Sequence, residues 1–195
     1  MSQTETELRK DQLTLYPMQR ELDTEEQMRL KGGLVLWLMG LSVPILLLVE
    51  VRYVMVGGYV DPHASPLLGT IGLVLLIISA ILTSVAKRTS VPVARGKVLG
   101  AYMWSVLFTL AAFILIGWHV VDHSESSLTH YGMMFVTAVG TVDFYVFTLL
   151  LALMATHGRV KRLNVRNTWG LSATNYYAWF VVAVWLVIYA FMYFL

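Results

Sequence analysis

Asp143 is the one acidic or basic side chain near the middle of any long apolar stretch in this 195-residue chain. A charge at such depth is costly, so acids placed there commonly mark a path or a site. Asp143 lies about twelve residues from either end of its stretch, which at a rise of about 1.5 Å per residue puts it roughly 18 Å deep. Three functions suit it: a proton relay, a cation site, or the partner of a donor on another subunit. The competing assignment is a protonated carboxylic acid that faces a helix bundle and is held by hydrogen bonds. No second acid or base at matching depth continues a path from it.

Glu50 and Arg52 lie two residues apart, so on a helix they do not face one another. Each needs its own partner, or water near the headgroups, and structural roles at the interface compete with an ion site. Histidine offers metal chemistry. His63, His119, His123 and His130 all fall on the side that the topology below makes external, and His119 and His123 have the one-turn spacing of many helical zinc or copper sites. Against that, His63 and His130 belong to separate connections, no carboxylate pattern fixes them, and Asp122 and Glu125 read as solvated. His157 has no partner on the other side. Haem ligation wants two histidines at similar depth facing one pocket, and no span holds such a pair. Phosphate-binding glycine loops, nucleophile elbows and Ser/His/Asp sets are absent. The expectation is a chain with no catalytic, cofactor-binding or metal residue of its own. Asp143, Glu50 and Arg52 are its buried polar candidates.

The elements that carry these residues follow from composition. Hydrophobic residues make up 57% of the chain and charged ones 13%, with a mean hydropathy of +0.67, which is the balance of a polytopic membrane protein. There is no cysteine, which removes disulfides, thiolate metal sites, iron-sulfur ligands and thioether-linked haem. The polar first thirty or so residues lack the apolar core of a signal peptide, so the first hydrophobic helix is expected to direct insertion. A net charge of +2 without a basic cluster gives no footprint for nucleic acid.

A helix needs about 20 apolar residues to cross roughly 30 Å of hydrocarbon. The runs of that length are about Leu34 to Val56, Leu67 to Ala86, Val98 to Val121, Tyr131 to Thr156 and Ala173 to Leu195. The expected fold is an all-α membrane protein, a five-transmembrane-helix bundle. Its domains are residues 1–31, a cytoplasmic N-terminal segment, and 32–195, the transmembrane domain. Arg9, Lys10, Arg20, Arg29 and Lys31 precede the first span; Lys87, Arg88, Arg95 and Lys97 fill the second connection; Arg159, Lys161, Arg162 and Arg166 fill the fourth. Basic residues are retained in the cytoplasm, so the N-terminus is expected inside and the C-terminus outside. Arg52, near the outer end of the first span, can snorkel to the interface. Arg20 to Leu30 reads either as a short helix capped by Asp23 or Thr24, lying on the cytoplasmic surface or docked on a neighbour, or as a disordered tail. The glycine pairs 32–33 and 57–58 read as flexible ends, and Pro44 interrupts the first span.

Helix association in lipid leans on small residues. Gly69, Gly72, Ser79, Thr83 and Ala86 share one side of the second span, and Ala101, Ser105, Thr109 and Ala112 recur along the third. Thr137, Thr141 and Thr148 line one face of the fourth, with Gly140 and Asp143 on another. Trp118, Tyr131, Trp169, Tyr176, Tyr177 and Tyr193 lie near span ends, where interfacial anchors are expected.

Several stretches carry a family likeness. The run Tyr176-Tyr177-Ala178-Trp179-Phe180-Val181-Val182-Ala183-Val184-Trp185-Leu186 resembles the closing helix of subunit III of haem-copper oxidases, Tyr-Tyr-Trp-His-Phe-Val-Asp-Val-Val-Trp-Leu. Leu36-Trp37-Leu38-Met39-Gly40-Leu41-Ser42-Val43, followed by Tyr53, resembles that family's opening Trp-Leu-Phe-Leu-Ala-Ser-Glu. Ser65-Pro66-Leu67-Leu68-Gly69-Thr70 is similar to its Pro-Leu-Leu-Asn-Thr, and Gly140-Thr141-Val142-Asp143-Phe144-Tyr145-Val146 stands where the family has Gly-Phe-His-Gly-Leu-His-Val. The likeness covers the chain after Lys31 and fits the shorter, five-helix version. The departures share a direction: the family's buried Glu is Val43, its fourth-span histidines are Val142 and Tyr145, and its last-span His and Asp are Trp179 and Val182.

The resemblance implies an accessory subunit without redox centres. It would pack beside the haem- and copper-bearing subunit I of a terminal oxidase in a prokaryotic plasma membrane and hold phospholipid between its helices. Oxygen reduction and proton pumping, fed by cytochrome c or quinol, would belong to the complex, and the divergence suits an oxidase tied into a larger respiratory assembly. Family relatives also accompany nitric oxide reductases. The rival class is a small transporter or proton-conducting protein using Asp143.

Overall fold

In a computed structural model of the protein, the described residues are 24–60, 66–89, 91–122, 129–160 and 169–194, with the main chain alone for 91–95. They form α1 (Thr24–Val56), α2 (Pro66–Arg88), α3 (Val91–Asp122), α4 (His130–Val160) and α5 (Trp169–Tyr193), with no strand among them. All five helices are long and apolar enough to cross a membrane. The shortest, α2, has 23 residues and measures roughly 35 Å, enough for the hydrocarbon core.

The helices overrun the expected spans, most of all at α1. The surface helix expected from Arg20 and the first span are one continuous helix from Thr24 through Gly32, Gly33 and Pro44 to Val56; residues 20–23 lie outside the described residues. Each glycine costs about 1 kcal/mol in a helix interior. Breaking the helix at the edge of the lipid would cost more, because hydrocarbon cannot satisfy freed backbone groups. Glu25 and Glu26 favour the first turn, and Glu25 pairs with Arg29 at 3.5 Å on an exposed face, adding a few tenths of a kcal/mol at most. Pro44 removes one N–H without interrupting the span. The helix ends at Gly57, whose φ of 65° is left-handed and whose N–H reaches the Tyr53 carbonyl at 3.1 Å. Gly57 is a helix cap of the αL type, not a loose end.

α2, α3, α4 and α5 close into a ring, each packed on its sequence neighbours and α2 on α5, while α1 lies outside against α4 and α5. The small-residue faces are the seams of this ring. Gly69, Gly72, Ser79, Thr83 and Ala86 are all buried, as are Ser105, Thr109 and Ala112. A Cβ on Gly69 would lie 3.0 Å from Tyr189, and one on Gly72 would lie 3.1 Å from Ile116 Cγ1. Ser79 Oγ meets Ser105 Oγ and Thr109 Oγ1, both at 2.7 Å. Backbones therefore approach where side chains are small, and hydroxyls bridge the approach.

Of the residues expected as interfacial anchors, Trp118 and Tyr176 are exposed, but Tyr131, Tyr177 and Tyr193 are buried. The Tyr131 hydroxyl donates to the Met192 carbonyl at 2.7 Å, and the Tyr177 hydroxyl meets Thr148 Oγ1 at 2.5 Å. These tyrosines tie α4 to α5. A phenol buried in a bundle needs a partner for its O–H, and a neighbouring helix supplies one.

Candidate functional site

Asp143 projects from α4 toward α3, where Gly117 makes room: a Cβ on Gly117 would sit 3.2 Å from Asp143 Oδ2. Gly117 stands about five residues before the end of α3 at Asp122, roughly 7.5 Å along the helix. Asp143 itself lies near the middle of α4, thirteen residues after its start at His130. Its carboxyl meets the last third of α3. Asp143 Oδ1 is buried without a hydrogen-bond partner among the described residues. Thr137 and Thr141, one face over, return their hydroxyls to the carbonyls of Met133 and Thr137 at 2.8 and 2.7 Å, so each is satisfied within its own helix.

Glu50 and Arg52 separate, as their spacing requires. Glu50 is on the exposed side of α1, in line with Val43, Leu46, Leu47 and Val54, all exposed. Arg52 is 1% exposed and does not snorkel outward. Its guanidinium folds over the end of α1, Nη1 donating to the Gly57 carbonyl at 3.0 Å and Nη2 to the Tyr59 carbonyl at 3.3 Å, with the Tyr53 ring 5.8 Å away. It acts as a fork across the turn that Gly57 makes. Arg52→Met is expected to cost about 2 kcal/mol, since two carbonyls lose charged donors. Arg52→Lys should recover only part of that, because an ammonium cannot fork. Thermal denaturation of the detergent-solubilised protein, followed by circular dichroism, checks the order wild type, Lys, Met.

His63 and His123 lie outside the described residues. His130 is exposed at the start of α4, whereas His119 is buried and points inward, its Nε2 hydrogen-bonded to the Tyr193 hydroxyl and its ring stacked on Tyr193 and edge-on to Phe135. The structure therefore directs His119 away from the surface on which His130 sits. The described residues hold no group of three or more potential metal ligands. His157, on α4, is partly buried.

Among Val43, Val142, Tyr145, Trp179 and Val182, three are buried and two are exposed. Val142 and Val182 are buried in the core. Tyr145, also buried, donates its hydroxyl to the Leu41 carbonyl at 2.8 Å, which fastens α1 to the ring. Trp179 is half exposed on α5, its Nε1 donating to Ser84 Oγ at 3.0 Å. Val43 faces outward on α1.

One constellation was not singled out from sequence. The hydroxyls of Thr83 and Ser84 both donate to Asn175 Oδ1, at 3.0 and 2.7 Å, and Trp179 closes the chain onto Ser84. The local signal is Asn175 and Trp179 one turn apart on α5; that Ser84 and Lys87 stand opposite is set by the α2 and α5 pairing. No family model matches the chain, and comparison with curated proteins found no match.

Proposed function

We propose that the chain is an accessory, non-redox subunit of a respiratory terminal oxidase, of the subunit III type. In this assignment it is a multi-pass protein of a prokaryotic plasma membrane with its N-terminus cytoplasmic and its C-terminus external. It packs beside the haem-copper subunit, stabilises it, and holds phospholipid between helices. The observation that supports this best is the use the bundle makes of its interior polar groups. Ser79 with Ser105 and Thr109, Thr83 and Ser84 with Asn175, Thr156 with Thr174 at 2.8 Å and Tyr145 with Leu41 all bond helix to helix. Such groups make a rigid scaffold. The outward apolar face of α1, together with Tyr145 at a family histidine position, suits a body that is held beside a larger one.

Mild-detergent purification of the tagged chain with visible spectroscopy tests the proposal. Haem absorbance is expected to co-purify, and recovery of the chain alone, free of haem-bearing partners, would remove it. A second assignment, a small proton-conducting or transport protein, draws on Asp143 Oδ1, buried and without a partner among the described residues. Asp143→Asn separates the two. An accessory subunit should keep at least about half of the complex's turnover and lose stability at most, as expected of a single buried polar change of about 1 kcal/mol. A transporter should lose its flux.

A further inference from the structure

Asp143 carries a carboxyl that its own bundle does not satisfy. Oδ1 is buried and bonds to nothing among the described residues, and Oδ2 faces Gly117 of α3, where a Cβ would lie 3.2 Å away. Protonation would not relieve it, because a buried carboxyl in either state costs free energy until it is hydrogen-bonded. A hard cation wants about six or more oxygens. The hydroxyls of Thr137 and Thr141 are closed on their own helix, and the described residues hold no group of three potential metal ligands. A proton path wants a second station. Glu50, the other acid within an apolar stretch, lies on the exposed side of α1, a helix that adjoins α4 and α5 and does not pack on α3.

The surroundings of the carboxyl admit a group from outside. Gly140 stands three residues before Asp143, and at about 100° per residue it falls on the helical wheel between Asp143 and the outward side of α4, where Met133, Phe144 and Leu151 are exposed. A Cβ on Gly140 would meet nothing within 4 Å. The outward side of Asp143 is therefore open. One turn further along α4, Phe147 packs on Phe113 of α3, 5.7 Å between ring centres, and closes the seam at that end. A notch with a carboxyl at its floor and glycines on two sides lets a neighbouring backbone come close.

We propose that this notch docks a transmembrane helix of a different protein, one that carries an Arg or Lys at the depth of Asp143. Ionisable groups inside a membrane pair with one another, and an acid specifies a cation. A second copy of this chain cannot supply it. The one Arg or Lys in its apolar stretches is Arg52, whose guanidinium is committed to the carbonyls of Gly57 and Tyr59. Where Asp143 stands the resembled family has a glycine, so that likeness implies no such contact. The assignment goes beyond the function proposed above and holds whether or not the partner bears haem, so haem co-purification and the docking contact fail separately.

The test uses the full chain in its native membrane, with Phe147→p-benzoylphenylalanine as a photoreactive group beside the notch. Irradiation is expected to join it to a transmembrane segment of another protein, and sequencing of the linked peptide by mass spectrometry should find an Arg or Lys within about two turns of the attachment point. Asp143→Asn should lower the yield about tenfold, the low end for loss of a hydrogen bond to a charged group. Gly140→Leu should lower it as much by filling the notch. Because a Cβ there meets nothing of this chain, the fold should stand, which keeps the test decisive even if Asp143→Asn alters folding. Gly100→Leu, at a glycine of α3 whose Cβ would equally meet nothing, should leave the yield unchanged. Attachment to lipid alone, to a second copy, or to a segment without Arg or Lys would overturn the assignment. So would a yield unaltered by Asp143→Asn and Gly140→Leu, or an equal loss with Gly100→Leu.

Discussion

Trp185→Ala is expected to destabilise the bundle by about 3 kcal/mol, the low end of the range for removing a buried indole. Trp185 is fully buried on α5, and its Nε1 donates to the Gly69 carbonyl of α2 at 3.1 Å. It also stacks at an angle on Tyr189, 6.4 Å between ring centres. Tyr189 in turn packs against Gly69, which has no Cβ to obstruct it, and bonds Thr70 Oγ1 at 2.6 Å. Truncation opens a cavity that neither lipid nor water can enter, since Trp185 lies inside the ring of α2 to α5. The cost stays at the low end because an unfolded helix in a membrane already sits in apolar surroundings, so packing and the hydrogen bond are lost but little hydrophobic transfer energy is. Trp185→Phe keeps most of the volume and gives up the N–H, for about 1 kcal/mol. Titration with sodium dodecyl sulfate, followed by far-ultraviolet circular dichroism, measures both. A loss below about 1 kcal/mol for the alanine variant would mean that Trp185 does not hold α5 to α2 as described.

Gly72→Leu should act from the opposite direction, by overfilling, at about 3 kcal/mol. The first added carbon would already stand 3.1 Å from Ile116 Cγ1 and 3.4 Å from its Cδ1, so a leucine must force α2 away from α3. That motion would stretch the Ser79, Ser105 and Thr109 contacts, whose hydroxyls have no water to turn to. Gly72→Ala is the graded control at about 1 kcal/mol, because the Ile116 side chain need yield by only a few tenths of an ångström. The mechanism is specific enough to be rescued. In an Ile116→Ala background, which lacks both the Cγ1 and the Cδ1 that crowd the added carbon, Gly72→Ala should cost less than about half as much, a coupling that a double-mutant cycle reads directly. Additive losses would place the cause elsewhere, for instance in the helix itself.

Much of the architecture is legible before any coordinate is known. The five apolar stretches became five helices, and all but Ala101 of the small residues picked out on the second and third stretches are buried, along the seams that α2 makes with α3 and α5. Boundaries were less legible. α1 continues across Gly32 and Gly33 because helix propensity is a weak term beside the need to keep backbone groups bonded near lipid. Tyr131, Tyr177 and Tyr193 are buried rather than exposed for a related reason: a phenol at that height serves equally well as an interfacial anchor or as a lock between helices, and only the neighbouring carbonyl or hydroxyl decides. Tyr131 found Met192; Tyr176, still exposed, found the ammonium of Lys87.

The candidate residues divide along the same line. Spacing alone determined that Glu50 and Arg52 point apart, and that Asp143 stands without a second acid or base in its own stretch. It could not determine that Arg52 folds onto the carbonyls of Gly57 and Tyr59, that His119 turns inward to Tyr193, that Asp143 meets Gly117, or that Lys87 and Asn175 share a groove. Hydropathy, small-residue faces and the placement of basic residues are local properties and are written along the chain. Neighbourhood is not, because an apolar helix face is about as well solvated by lipid as by another helix. The composition of α1 therefore carries no sign that it adjoins α4 and α5 rather than α2. The Tyr145 hydroxyl on the Leu41 carbonyl and the ring contacts of Trp37 with Tyr177 and of Tyr53 with Phe191 made that choice, since they exist only once the helices are neighbours.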